Sequence, residues 1–152
     1  MAAERMKKCA LVVGNGERPS PELFAELMAD APLLLCADGG ANVVVELGAV
    51  PDFVVGDLDS VAKALQAELG PQKILLADAD NTGTDLQKVL RYACQIGVES
   101  ATLTGVTGGR SDHTLWNLSL LKVFANDMAL RVIDDYCEIC LVAVEMPGAG
   151  GR

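Results

Sequence analysis

Short, continuous apolar runs alternate with longer segments of helical period along most of the chain. Cys9–Val13 reads as a strand buried on both faces, and Gly14-Asn15-Gly16 turns the chain out of it. A helix follows around Pro21–Ala29. Leu33–Ala37 is a second strand, ending at Asp38-Gly39-Gly40 before a helix to about Leu47. Phe53–Val55 is short and extended; Gly56-Asp57-Leu58-Asp59 then leads to Ser60, the expected N-cap of a helix to Leu69. Lys73–Ala77 is a further strand. Thr84-Asp85-Leu86-Gln87 has the spacing of a capping box and opens a helix to about Ile96. Ala101–Thr104, the glycine-rich loop Gly105–Arg110 and a helix over Ser111–Phe124 come next, with Leu130–Ile133 and Ile139–Val144 as closing strands.

Such alternation predicts an α/β fold of three layers, α/β/α, around a mostly parallel sheet covered on both faces. Ligands in that architecture bind beyond the carboxyl ends of the strands, near a topological switch point. The pattern leaves the strand order open.

Length and composition narrow the setting. The chain has 152 residues, 51% hydrophobic and 22% charged, which suits one globular domain and excludes a disordered chain. Its longest apolar run, Ala31–Ala37, falls well short of the ~18 residues of a membrane span, and Cys9–Val13 is too short for a secretory signal. With 21 acids against 12 bases the net charge is -9, an unfavourable balance for nucleic acid. A cytoplasmic protein with neither membrane nor nucleic-acid partner is expected. Five cysteines, an odd number, argue against a disulfide framework. Cys137-Glu-Ile-Cys140 has metal or redox spacing but falls in Tyr136–Val144, read as a strand, so buried structural thiols are expected there. Residues 1–145 are expected to form the domain. Residues 146–152, rich in glycine, have a linker's composition, as though the chain were cut at a domain boundary.

Charge placement carries the chemistry. Pro19–Ala62 holds no Lys or Arg, yet contains Glu22, Glu26, Asp30, Asp38, Glu46, Asp52, Asp57 and Asp59. The glutamates read as solvated helix faces; several of the aspartates follow strands. In a parallel sheet Gly14-Asn15-Gly16, Asp38-Gly39-Gly40, Asp57-Leu58-Asp59, Asp78 through Asp85 and Gly108-Gly109-Arg110-Ser111-Asp112 gather along one edge. Carboxylates brought that close repel unless a cation lies between them. Oxygen ligands without His or Cys suit Mg²⁺, and glycine loops at helix starts supply N–H donors to an anion. The combination points to a Mg-nucleotide. Taken singly, Asp85 complements a helix dipole, Asp112 caps a helix, and the Gly-Gly pairs are tight turns. His113 reads as structural, and Trp116 and Leu120, four apart, as core. A P-loop is absent, Gly14–Pro19 lacks the third glycine of a dinucleotide fingerprint, and Asp134-Asp135 comes too late for a receiver-type phosphotransfer domain.

Ala37-Asp38-Gly39-Gly40-Ala41-Asn42, Pro51-Asp52 with Gly56-Asp57-Leu58-Asp59-Ser60, Thr84-Asp85-Leu86, and Gly108-Gly109-Arg110-Ser111-Asp112-His113 with Asn117 together resemble thiamine pyrophosphokinase across roughly residues 9–145. The resemblance implies transfer of a pyrophosphoryl group from ATP to the hydroxyl of thiamine, giving thiamine diphosphate and AMP. It places Mg²⁺ on Asp57, Asp59 and Asp85. Nucleotide contacts fall at Asn15, Asp38, Gly39, Asn42, Arg110 and Asp112, with Arg110 and Asp112 also in the catalytic set. Asn81 stands where the family usually has Gln. Family members carry a second, all-β domain after Leu130–Val144 that helps form the thiamine site, usually at a homodimer interface; this chain is expected to lack that β-sandwich. Two alternatives stay open: a Mg-nucleotide module without catalysis, or a diphosphokinase for another heterocyclic alcohol such as a hydroxymethylpterin.

Overall fold

The computed structural model describes residues 9–31, 33–56, 61–70, 73–76 and 83–142. Each apolar run becomes a strand and each amphipathic segment a helix. The order is β1 (Cys9–Val13), α1 (Pro21–Asp30), β2 (Leu33–Ala37), α2 (Gly40–Glu46), β3 (Phe53–Gly56), α3 (Lys63–Leu69), β4 (Ile74–Leu76), α4 (Asp85–Gln95), β5 (Ser100–Thr104), α5 (Ser111–Val123), β6 (Ala129–Ile133) and β7 (Glu138–Cys140). The strands form one sheet in the order β4-β3-β2-β1-β5-β6-β7. All neighbours are parallel except β6 and β7, which form an antiparallel edge hairpin.

Alternate strand residues feed two separate cores. Ala10, Val12, Leu35, Val55, Ala101 and Leu103 pack beneath α4 and α5, against Val89, Leu90 and Leu120. Leu11, Val13, Leu34, Cys36 and Val54 pack beneath α1, α2 and α3, against Phe24, Leu27, Val44 and Leu65. Burial on both sides explains why these strands are continuously apolar. From β1 the chain winds outward through β2 and β3 to β4, then returns to the other side of β1 as β5. The order therefore reverses between β1 and β5, and that reversal opens a crevice beyond their carboxyl ends.

Four expectations need correction. The sheet is not covered on both faces throughout: Ala129, Arg131, Glu138 and Cys140 on β6 and β7 are exposed. That face is polar, with Arg131 donating from Nε to Thr102 Oγ1 at 2.9 Å and from Nη1 to Glu138 Oε1 at 3.4 Å. Helix α3 starts at Lys63 with Ala62 as an N-cap lacking any side-chain bond, and Ser60 lies outside the described residues. The last strand stops at Cys140, and Cys137 and Cys140 are exposed, not buried, because no layer among the described residues covers this edge hairpin. Trp116 is 47% exposed while Leu120, one turn later, is fully buried. Both share a stripe of α5, but the first turns of that helix border the crevice and only the later ones lie over the sheet.

Candidate functional site

A cleft of about 1030 Å³ opens at the β1/β5 reversal. Its floor and walls are the loops that leave β1, β2 and β5, with the first turns of α4 and α5. The two glycine loops are hydrogen-bonded to each other beyond the strands. Gly14 N–H donates to Thr104 O at 2.9 Å, Gly16 N–H to Gly105 O at 2.6 Å, and Glu17 N–H to Thr107 O at 2.9 Å.

Asp38 leaves β2 with φ 42°, a left-handed conformation costly for a residue with a Cβ and typical of functional sites. Its N–H donates to Val55 O at 3.0 Å, which brings it beside the end of β3. There Gly56 adopts φ 145°, and a Cβ at that position would lie 3.1 Å from Asp85 Cγ and 3.2 Å from Asp38 Cβ. Gly56 is thus the gap across which two acids distant in sequence approach. Asn15 joins them from β1, its side-chain amide lying over Gly39.

Helix α4 aims Asp85 into this gap. Thr84, the N-cap, accepts at Oγ1 from Gln87 N–H at 3.3 Å, which fixes the helix start at Asp85. Only half of the expected capping box forms: Gln87 Oε1 is buried against Gly83 and has no hydrogen-bond partner among the described residues. Lys88, one turn on, places Nζ 3.6 Å from Asp85 Oδ1. A cation therefore stands beside Asp85 at the edge of the cleft.

At the other end of the cleft Arg110 and Asp112 form a two-pronged pair, Nε to Oδ1 at 3.1 Å and Nη2 to Oδ2 at 2.6 Å. Asp112 Oδ1 also accepts from His113 N–H at 3.0 Å. The Arg110 guanidinium, with that N–H, holds the Asp112 carboxyl below the ordinary range. The pair is exposed, so its worth is positional more than energetic. Asn117 Nδ2 donates to Val106 O at 2.8 Å, anchoring α5 to the loop, and Trp116 and His113 line the same wall.

Residues 24–132 match the family described as thiamin pyrophosphokinase, catalytic domain, more than two thirds of the chain. The chain belongs to that family. It is 34% identical over 158 residues to thiamine pyrophosphokinase 1 of Oryza sativa subsp. japonica, covering 88% of this chain and 58% of that protein. It is 30% identical over 159 residues to thiamine pyrophosphokinase 2 of the same plant, covering 90% and 58%. The crystal structure of thiamine pyrophosphokinase from Bacillus subtilis superimposes with a TM-score of 0.69 at 25% identity, over 84% of this chain and 61% of that one. The chain thus spans well under two thirds of the rice relatives' length.

Of the residues expected from sequence, Asn15, Asp38, Asp85, Arg110 and Asp112 all line the cleft, and Gly39 adjoins it beneath Asn15. Asp57, Asp59 and Asn81 lie outside the described residues. Asn42 does not line the cleft; its Oδ1 accepts from Ala62 N–H at 3.1 Å, holding the entry to α3. Asp52, part of the family pattern, is structural: its Oδ2 accepts from Leu34 N–H at 2.8 Å at the start of β2. Lys88, Glu17 and Trp116 were missed. Only Lys88 left a legible signal, its i+3 spacing from Asp85 on a helix.

Asp134 lies just outside the cleft with Thr107 Oγ1 donating to its Oδ2 at 2.9 Å. Partial burial raises its pKa, but the N–H groups of Tyr136 and Cys137 and the Thr107 hydroxyl more than reverse this, leaving it low. A carboxylate whose folded pKa is depressed stabilises above its unfolded pKa, about 3.9, and that stabilisation is lost as pH falls through the folded value. Thermal midpoints measured from pH 6 to pH 3 should therefore fall less steeply for Asp134→Asn than for the parent.

Proposed function

We propose that the chain binds Mg-ATP in the switch-point crevice and transfers its terminal pyrophosphoryl group to the hydroxyl of thiamine, giving thiamine diphosphate and AMP. The observation that carries this reading is the meeting of Asp38 and Asp85 across Gly56, at the strand-order reversal, in a chain of the thiamin pyrophosphokinase catalytic family. Asp57, the covalent neighbour of Gly56, and Asp59 are assigned with Asp85 to Mg²⁺. The acids at this gap offer only hard oxygen donors, which fits that ion. When bound, Mg²⁺ supplies the positive charge that lets phosphates approach an acidic rim.

The chain's own groups do the rest. Asn15, Asp38, Gly39 and Asn81 are assigned to the nucleotide side, and Asn42 to the α3 entry. Arg110, already oriented by Asp112, and Lys88 face the phosphate path and stabilise charge as the thiamine oxygen bonds to the β-phosphorus and the bond to the α-phosphate oxygen breaks. Both Asp112 oxygens are engaged by Arg110 and the His113 N–H. Orienting the acceptor hydroxyl is assigned to Asp38, which stands beside Asp85 at the gap. In a loose transition state the hydroxyl proton leaves late, so no strong base is needed.

The second reading is a Mg-nucleotide module without turnover. The openness of the α5 side favours it, where Leu115 is 71% exposed beside Trp116. A homodimer covering that face and a cytoplasmic location, in keeping with five free cysteines, belong to the proposal. Residues 1–145 are its catalytic domain and 146–152 its linker. Among the described residues no helix is long and apolar enough to cross a membrane.

One experiment separates the readings. Trp116 is the only tryptophan and lines the cleft, so its fluorescence should change with ATP plus Mg²⁺ and revert with EDTA. AMP release that requires thiamine establishes transfer; binding without release selects the module. Release with a hydroxymethylpterin in place of thiamine would reassign the acceptor.

A further inference from the structure

Asp134-Asp135 opens the turn between β6 and β7, and the reaction proposed above gives the pair no part. Their side chains nevertheless bond to the two loops that follow β5 and β1 and border the crevice. Asp134 Oδ1 accepts from the N–H of Tyr136 at 2.8 Å and of Cys137 at 2.9 Å, closing the turn on itself. Its Oδ2 takes the hydroxyl of Thr107, a buried residue in the loop between β5 and α5. Asp135 holds the far end of the loop that follows β1. Its Oδ2 accepts from Ser20 N–H at 2.8 Å and its Oδ1 from Ser20 Oγ at 2.5 Å. Ser20 is the N-cap of α1, and its Oγ also accepts from Leu23 N–H. Tyr136 O–H donates to Glu17 Oε1 at 3.3 Å, and Glu17 lies against Gly108.

We propose that the Asp134–Cys137 turn is a clasp that orders the Gly105–Arg110 loop for the nucleotide phosphates, with Asp134 and Asp135 as positioning residues. The inference rests on the reading of the crevice as a Mg-ATP site. A loop with glycine at 105, 108 and 109 has little stiffness of its own, and ordering it costs roughly 1–2 kcal/mol per residue. Tying Thr107 down before the ligand arrives removes part of that cost from binding. Two adjacent carboxylates repel, and each is retained here with its own set of donors aimed at a different loop.

The test uses the full chain and two readouts. Hydrogen exchange of the Gly105–Arg110 amides without ligand should rise in Asp134→Asn and Thr107→Val and stay near the parent in Thr107→Ser, which keeps the hydroxyl. Mg-ATP affinity by calorimetry should fall roughly 5- to 20-fold in the first two and little in the third. The double variant should be no weaker than the weaker single one, because both remove one contact. Leu65→Ala, a core change on the buried face of α3, should lower stability without moving either readout at the loop; an equal loss there would reduce the clasp to a general stability effect and overturn it. Unchanged exchange in both Asp134→Asn and Thr107→Val overturns the clasp, and raised exchange with unchanged affinity overturns its role toward phosphate. A parent chain that binds no Mg-ATP, with exchange still raised in the variants, overturns the crevice reading and leaves the clasp as a loop-ordering device. Should Asp134→Asn fail to fold, Thr107→Val and Tyr136→Phe carry the same comparison.

Discussion

Asp85→Asn is expected to leave the protein folded while weakening Mg-dependent ATP binding by roughly 30- to 1000-fold. Two unit charges about 4 Å apart interact by roughly 4 kcal/mol at an effective dielectric near 20, and partial exposure trims this to about 2–4 kcal/mol. The fold loses little. Asp85 is the first residue of α4, where its favourable place on the helix dipole contributes about 0.3–1 kcal/mol, and the neighbouring Lys88 pair at 3.6 Å is loose. Removing the carboxylate also leaves the Lys88 ammonium with one fewer acid beside it. Metal-free ATP should then bind more tightly than it does to the parent, so the difference between titrations in Mg²⁺ and in EDTA should shrink from both sides. Calorimetry in the two buffers reads this directly. Mg-ATP affinity equal to the parent's would remove Asp85 from the metal set. Asp57→Asn is expected to act in the same direction.

The largest stability effect should come from Gly40→Ala. A Cβ there would lie 2.2 Å from Val13 O and 2.9 Å from Val13 C. Val13 is fully buried at the end of the central strand, paired with Cys36 on one side and Thr104 on the other, so it has nowhere to move. Helix α2 must lift away from the sheet instead, carrying Gly39 and Asp38 with it. Overpacking of this kind costs about 3 kcal/mol, which for a domain of this size lowers the thermal midpoint by roughly 6–12 °C. Gly48→Ala is the comparison: its space is open and only its φ of 89° resists, so about 1 kcal/mol is expected. Similar unfolding midpoints for the two variants in urea would contradict the steric argument.

Much of the architecture was legible. The bounds of β1 and β2 coincide with apolar runs visible in the chain, because a strand buried on both faces must be apolar at every position. Glycine and aspartate after several of those runs marked the crevice edge before any strand order was known. Errors clustered where burial depends on what lies across from a residue. Trp116 and Leu120 share a helical stripe, yet one borders the crevice and the other the sheet. Cys137 and Cys140 lie in a run with strand composition on an edge that nothing among the described residues covers. Asp134-Asp135 stands too late in the chain for a receiver-type acidic pair, and its actual partners are 27 and 115 residues away in sequence.

By itself the sequence determined the alternation of elements, the excess of acid along one edge and the family to which that pattern belongs. The first two follow from local periodicity and residue type, which act over one or two helical turns, and the family from the resemblance of its motifs. The position of the switch point between β1 and β5, the approach of Asp38 to Asp85 across Gly56, and the ties of Asp134 to Thr107 and of Asp135 to Ser20 were decided by the tertiary structure. Parallel strands are joined through crossovers that leave their neighbours unspecified, and a charged side chain takes whichever partner packing brings within reach.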